Sequence, residues 1–170
     1  VGDKFDKEQF KAALKAGHVD SITVFSKCHH GWAYHPSTAN EMHPKLKFDL
    51  LGAQLEACRE IGVNAPVYLS AGHDEKYARR HPEDIVKWHP GDGADFLNAA
   101  YYHLICYNTP YLDYLMAQVE EVMQKYNPSG IFLDISAPRA CVCNRCIESM
   151  RKLGLDPRNP EDVKKHGDMV

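Results

Sequence analysis

The sequence lacks the features that would mark a membrane protein or a nucleic-acid-binding protein. No apolar run approaches the ~20 residues of a membrane-spanning helix, so no span is predicted. The 20 Lys and Arg side chains are scattered among 23 Asp and Glu, with a net charge of −3. Without a basic patch, nucleic acid and anionic membrane surfaces are not expected partners. No repeat or low-complexity stretch is present, and 170 residues fit a single domain over 1–170.

The six cysteines are unevenly distributed, which argues against a disulfide framework. Three of the six cysteines fall within six residues, and a chain of this length can stabilise itself by burial. Closely spaced thiols suit a metal better than a set of disulfides. Thiolate ligands also favour folding in a reducing compartment, so we expect a cytoplasmic protein, with export of the folded chain as the alternative.

Helical and strand patterns alternate along the chain. Apolar positions at helical spacing, ended by glycine, predict helices, and β-branched or apolar runs predict strands. The predicted helices are 6–16, 48–61, 110–126 and 144–153, with shorter helical pieces around 74–80 and 82–87; the predicted strands are 20–27, 65–70 and 129–135.

The alternation predicts an α/β fold with a parallel sheet and right-handed crossovers. The loops that follow the strands are long and those that follow the helices are short, as in a (β/α)8 TIM-type barrel. Three strands cannot close such a barrel, so we expect a partial barrel whose remaining strands lie elsewhere in a longer protein. An open three-stranded α/β domain is the alternative.

The pattern C-x-C-x-x-C at Cys141, Cys143 and Cys146 indicates a structural zinc site, which needs a fourth ligand. Cys106 is the best candidate from its place in the predicted fold, and Cys28, at a strand end, is the second. Cys58, on the apolar face of a helix, is expected in the core. Reduced thiols or a local disulfide are the alternatives to zinc.

Asp134 ends the otherwise apolar strand SGIFLDI. A carboxylate there is costly to bury without a partner, and at the carboxyl end of a parallel strand it faces the region where barrel enzymes place their sites. We therefore predict Asp134 as a nucleophile or general base; a capping role in the next turn is the alternative.

Polar and aromatic residues follow the other two predicted strands, where they could bind sugar hydroxyls and the apolar face of a sugar ring. A surface or purely structural role is the alternative for each histidine, and Asp74 could instead cap a short helix. The predicted substrate-binding residues are His29, His30, Trp32, Tyr34, His73 and Asp74, with His35, His103 and Asn108 as weaker candidates.

Two segments resemble the α-L-fucosidases of glycoside hydrolase family 29. TVFSKCHHGWAYHPS is similar to their Lys-His-His-Asp-Gly-Phe region, and this implies that His29 and His30 bind sugar hydroxyls. QVEEVMQKYNPSGIFLDI looks like the stretch that leads to their nucleophilic aspartate on strand four. The resemblance implies that Asp134 is the nucleophile of a retaining mechanism.

A second likeness concerns the cysteines. HLICYNTPYLDYL and CVCNRC resemble segments of family 42 β-galactosidases that hold a structural zinc, which implies the ligand set Cys106, Cys141, Cys143 and Cys146. The whole chain is most similar to an uncharacterised group of hypothetical glycosyl hydrolases that combines both sets of motifs. On this alignment the three strands are barrel strands two, three and four.

These observations predict a retaining glycoside hydrolase in the intact protein, fucosidase-like or galactosidase-like, with carbohydrate as substrate. The general acid/base is expected from the missing part of the barrel, so the chain by itself should be inactive. A non-catalytic carbohydrate-binding or structural zinc module is the alternative. Unpaired strand edges also make a homo-oligomer plausible.

Overall fold

The computed structural model of the chain describes residues 1–88, 102–137 and 139–170. Helices and strands alternate as the sequence predicts. Each observed strand is shorter than the range predicted for it. In chain order the elements are α1 (Lys7–Ala16), β1 (Val24–Lys27), α2 (Leu50–Glu60), β2 (Val67–Ser70), α3 (Glu75–Arg80), a 3-10 turn (Pro82–Asp84), α4 (Tyr111–Tyr126), β3 (Ile131–Asp134), α5 (Asn144–Lys152) and α6 (Pro160–Gly167).

The three strands form one parallel sheet in the order β1-β2-β3, which confirms the predicted α/β class. The β2 and β3 strands are in register, with Val67 opposite Ile131 and Ser70 opposite Asp134. Pairing of β1 with β2 is interrupted by an irregularity between Phe25 and Lys27. A three-stranded sheet of this kind is compatible with part of a barrel.

The described chain divides into two compact units, each assembled from separate stretches of sequence. The first unit comprises 1–28, 32–70 and 116–134 and contains the whole sheet. Its core is built from the inward residues of the strands and of α1, α2 and α4, among them Val67, Leu69 and Val122. The second unit comprises 29–31, 71–115 and 135–170, so it collects the segments that follow the strands.

Side-chain caps explain where several helices begin. Asp6 accepts a hydrogen bond from the Gln9 amide at the start of α1, and Asp49 accepts one from the Gly52 amide at the start of α2. The α6 helix, which the sequence reading missed, has Asn159 as its cap and Pro160 in its first turn. Among the described helices, none combines the length and apolar character needed to cross a bilayer.

Candidate functional site

Asp134 lies at the carboxyl end of β3, half-buried in the first unit, and its side chain is held by a tyrosine. The Tyr68 hydroxyl donates a hydrogen bond of 2.6 Å to Oδ2 of Asp134. This contact follows from strand geometry, because Tyr68 and Ser70 share a face of β2 and Ser70 is opposite Asp134. Burial and the Asp134 carboxylate raise the pKa of Tyr68, so the hydroxyl stays protonated and remains a donor.

The sheet face that carries the Asp134 carboxylate is lined by aromatic rings. Phe25 lies 4.3 Å from Tyr68, and Tyr68 lies 5.8 Å from Phe132, measured between ring centroids. Phe25 is 39% exposed and Phe132 is 52% exposed. One strand face of the first unit therefore presents two partly exposed aromatic rings, on either side of the buried Tyr68, with a carboxylate at its rim.

In the second unit, residues from three separate segments form a cluster of rings. The His29 ring lies 5.1 Å from His73 and 5.5 Å from Tyr102, between centroids. Nδ1 of the buried His73 donates to the His103 carbonyl at 3.0 Å, since a carbonyl can only accept. Two predicted residues, His29 and His73, thus lie together, beside an exposed tyrosine that the sequence reading had not selected.

The short helix α3 fixes the backbone of the histidine pair. The carbonyls of His29 and His30 accept hydrogen bonds from the amides of Glu75 and Lys76. Asp74 caps this helix through the Tyr77 amide at 2.9 Å and is fully buried, so the predicted capping role is present. Gly31 has φ +92°, and a Cβ there would come within 2.0 Å of Asp74 Oδ1, so only glycine permits this approach.

The weaker candidate His103 forms a hydrogen bond with a residue that the sequence did not single out. Its Nδ1 lies 2.9 Å from Glu75 Oε2, and both side chains are largely buried. Although burial raises the pKa of Glu75, the hydrogen bonds from His103 outweigh it and the pKa is lowered overall. Glu75 is therefore a carboxylate that orients His103.

The other candidates after β1 lie in the first unit. Trp32 is half-buried, and its ring lies 6.2 Å from that of His43; Tyr34 is also half-buried. His35 is a structural residue, because Ser26 and the Pro36 carbonyl occupy its two nitrogens at 2.9 and 3.0 Å. Burial lowers the pKa of His35, which keeps it neutral.

Four buried sulfur atoms converge in the second unit. The Sγ atoms of Cys106, Cys141, Cys143 and Cys146 all lie within 4.8 Å of one another, and those of Cys106 and Cys146 are 3.4 Å apart. A tetrahedral zinc with Zn–S bonds of about 2.3 Å would set its sulfurs about 3.8 Å apart, so the donor set and its spacing fit that ion. Cys28, the second candidate for the fourth ligand, is half-exposed and lies outside this group.

Groups around the sulfurs support the negative charge of thiolates. The Cys143 amide donates to Cys141 Sγ at 3.4 Å, and Nδ2 of Asn108 donates to Cys146 Sγ at 3.7 Å. Hydrogen bonds from Cys106 and the other thiols lower the pKa of Cys143. Asn108, predicted as a sugar ligand from its loop position, instead contacts the cysteine cluster.

Sequence reasoning missed Tyr68, Tyr102 and Glu75. Tyr68 was detectable in principle, since period-two alternation places it on the face of Ser70, beside the strand that ends in Asp134. Tyr102 and Glu75 carry no local signal, because they meet the histidines only through the fold of the segments after β1 and β2.

Comparisons with known proteins agree with this picture. A family described as hypothetical glycosyl hydrolase 6 matches residues 6–135. The chain is similar to alpha-L-fucosidase isoenzyme 2 from Paenibacillus thiaminolyticus, with 50% identity and a TM-score of 0.94 over 99% of this chain. The match covers 26% of that protein, so the chain spans about a quarter of its length. These findings confirm the likeness to fucosidase-like glycosyl hydrolases that the sequence predicts.

More distant structures share the fold. An alpha-fucosidase from Thermotoga maritima in complex with a mechanism based inhibitor has 19% identity and a TM-score of 0.58, covering 99% of this chain and 34% of that one. A hypothetical protein from Ruminiclostridium thermocellum has 16% identity and a TM-score of 0.65, covering 94% and 81% of the two chains. Among curated proteins, no significant match is found.

Proposed function

Because the chain belongs to the hypothetical glycosyl hydrolase 6 family, we propose that it forms the nucleophile-bearing part of a retaining glycoside hydrolase that acts on α-L-fucosides. The observation that carries this proposal is the placement of Asp134 at the carboxyl end of β3, with its carboxylate oriented by Tyr68. The 50% identity to a protein described as an alpha-L-fucosidase supports fucose over galactose as the sugar.

Asp134 acts as the nucleophile in the proposed reaction. One carboxylate oxygen attacks the anomeric carbon, the bond to the aglycone oxygen breaks, and a general acid protonates that oxygen. Water then hydrolyses the glycosyl ester, with the same acid now acting as base, and the anomeric configuration is retained. The hydrogen bond from Tyr68 to Oδ2 orients the Asp134 carboxylate for this attack.

The substrate-binding residues are those that follow β1 and β2. We assign sugar hydroxyls to His29, His30 and His73, with Asp74 holding this segment and contributing to polar recognition. Trp32 and Tyr34 supply aromatic surface for the ring. The contacts between His29 and His73 support this assignment, since two imidazoles beside a tyrosine provide donors and an apolar face together.

The rest of the barrel supplies the general acid/base. The chain corresponds to about a quarter of the fucosidase it matches. We assign its three parallel strands to barrel strands two, three and four. The exposure of Phe25 and Phe132 on the sheet face that carries Asp134 supports this arrangement, because the inner face of a barrel is normally packed. The 170 residues alone are therefore expected to be inactive.

We also propose that Cys106, Cys141, Cys143 and Cys146 hold a structural zinc ion. Four sulfur ligands close the coordination sphere, so the ion would stabilise the fold and take no part in the reaction.

The test is nucleophile removal and rescue in the intact protein. Asp134→Gly should abolish hydrolysis of 4-nitrophenyl α-L-fucoside, and added azide should restore cleavage because it attacks the anomeric carbon in place of the carboxylate. The rescued product is the fucosyl azide of inverted configuration, and 4-nitrophenolate leaves with the bonding pair. Met116→Ala, an exposed position on α4, is the control.

Full activity of Asp134→Gly would contradict the assignment. A parent protein that binds fucose without cleaving aryl fucosides would instead support a non-catalytic carbohydrate-binding module.

A further inference from the structure

The backbone directly after Asp134 is held in an unfavourable conformation. Ile135 has φ +58°, a region that β-branched residues rarely adopt because of steric strain. Such a residue persists only when its surroundings fix it, and strained positions of this kind concentrate at functional sites. The backbone of Ile135, the residue after Asp134, is therefore held in this conformation by its surroundings.

Two side chains of the second unit hold the Ile135 carbonyl. The Tyr107 hydroxyl donates to it at 3.0 Å and Nη2 of Arg139 donates at 2.5 Å. The Arg139 guanidinium also lies over the Tyr107 ring, 5.6 Å from its centroid. We call Tyr107, Arg139 and the Ile135 carbonyl the carbonyl clamp.

Gly72 shows how closely the carbonyl clamp is packed. A Cβ on Gly72 would come within 2.2 Å of the Ile135 oxygen and 2.6 Å of Arg139 Nη2. Both distances are far below van der Waals contact, so any larger residue would displace the carbonyl or its donors. Glycine is required here by the clamp itself.

Both donor residues of the carbonyl clamp are close in sequence to cysteines of the cluster. Tyr107 follows Cys106 directly, and Arg139 precedes Cys141 by two residues. The Cys106 and Cys141 sulfurs belong to the same group of four, within 4.8 Å of one another. An ion that binds these sulfurs would also fix the backbone from which the Tyr107 and Arg139 side chains extend.

We infer that Tyr107 and Arg139 are positioning residues for the catalytic carboxylate, and that the four-cysteine site holds them in place. This inference rests on the proposed role of Asp134. By fixing the carbonyl of the next residue, the clamp sets the direction in which the Asp134 side chain leaves the strand. An ion held by the four cysteines would take no part in the chemistry itself and would act only by fixing this geometry.

The first test is kinetic and uses Tyr107→Phe in the intact protein. Turnover of 4-nitrophenyl α-L-fucoside should fall about tenfold to a hundredfold, because displacement of a reacting group by about 1 Å costs up to this much. KM should change less than about twofold, since the sugar ligands are untouched. In the Asp134→Gly background, Tyr107→Phe should leave the azide-rescued rate unchanged, because the carboxylate that it positions is gone.

Tyr126→Phe is the matched control, since it removes another tyrosine hydroxyl bonded to an acceptor, at Asp49 in the first unit. An equal loss of rate from Tyr107→Phe with and without the Asp134 carboxylate would overturn the inference, because the hydroxyl would then support the whole site. Loss of the azide rescue itself would count against the role of Asp134, a separate outcome.

The second test measures the hydrogen bonding of the Ile135 carbonyl by NMR and does not depend on enzymatic activity. The chain has a single Ile-Ser peptide, Ile135-Ser136, so carbonyl-¹³C isoleucine and ¹⁵N serine labels give one NMR signal for this bond. Tyr107→Phe, Gly72→Ala and removal of metal with a chelator should each move the Ile135 carbonyl signal to lower shift, as hydrogen bonds to the oxygen weaken. A signal that stays in place in all three samples would refute the clamp.

Discussion

At the scale of single residues, tyrosine hydroxyls recur as donors to carboxylates. Tyr68 donates to Asp134, Tyr77 donates to Asp84 at 2.8 Å, and Tyr126 donates to Asp49 at 2.7 Å. All three rings are more than nine-tenths buried. A phenol can donate to a carboxylate only while it is protonated, so these pairs make the fold depend on the protonation of tyrosine.

This dependence predicts a loss of stability at alkaline pH. Burial, then the paired carboxylate, raises the pKa of Tyr68, Tyr77 and Tyr126 above the unfolded value of about 10. Stability from these groups is therefore fully present below pH ~10 and is lost as the pH rises, because only the unfolded chain then releases the protons. Each group should lower the free energy of unfolding by about 1.4 kcal/mol per pH unit in that range.

Absorbance at 295 nm, which reports tyrosinate, checks the prediction. The folded chain should ionise fewer tyrosines at pH 11 than the same chain in urea, and Tyr126→Phe should reduce the slope of stability against pH by one group. Simultaneous ionisation of all tyrosines in both samples would contradict it.

Candidate functional residues could be predicted from the sequence where several reactive side chains, or one unusual one, fall within a short motif. The three cysteines of C-x-C-x-x-C and the strand-terminal Asp134 stand out because thiols at that spacing and a carboxylate in an apolar run are unusual. Tyr107 and Arg139 could not be found this way, because a hydrogen bond to a backbone carbonyl leaves no pattern in sequence. His35 was selected from loop position alone, and its buried bond to Ser26 shows the weakness of that criterion.

At the scale of elements, the order and type of the strands and longer helices were predictable from periodicity and caps. The predicted first strand was too long by four residues, because Ile22 packs against the core while residues 20–23 form only an isolated bridge, between Ser21 and Asn64. The α6 helix was missed although Asn159-Pro160-Glu161 is a helix start signal, since the segment has few apolar positions.

The start of α5 gives a prediction about metal removal. Cys143 occupies the cap position of this helix and makes no side-chain capping bond, so a metal–sulfur bond would be what orders this turn. We expect one zinc per chain, with four sulfurs at about 2.3 Å by X-ray absorption. Cys146→Ser should lose the ion and lower the melting temperature.

Cys28→Ser is the matched control, because this half-exposed thiol lies outside the cluster and should keep the zinc. A chelator should reproduce the effect of Cys146→Ser on the wild-type chain and have none on the variant. Equal zinc content in both variants would show that the four cysteines are not the ligands.

At the scale of the whole molecule, the sequence could predict a parallel sheet but not what covers it. The alternation of side chains along β1 and β3 determines on which face of the sheet each side chain lies. The element that packs against that face belongs to another part of the sequence, so the strand pattern does not reveal it. Phe25 and Phe132 remain exposed on the sheet face that carries Asp134. In the proposed barrel that face is the packed interior, and in the chain alone it is open to solvent or to a second copy.

The two cases differ in what Phe132 contributes to stability. Where the barrel closes over the ring, Phe132→Ala should cost about 3–5 kcal/mol, the range for large-to-small changes in a packed core. In the 170-residue chain, where the ring is 52% exposed, the cost should be a fraction of that, because most of its surface is already in water. Met116→Ala, exposed to a similar degree on α4, should cost little in both proteins, since barrel helices keep their outer face in solvent. Urea unfolding of both variants in both backgrounds measures the contrast. If Phe132→Ala costs as little stability in the intact protein as in the 170-residue chain, the sheet face is exposed in both and the closed barrel is wrong. If the change is as costly in the 170-residue chain as in the intact protein, and the cost depends on protein concentration, a second copy covers the face.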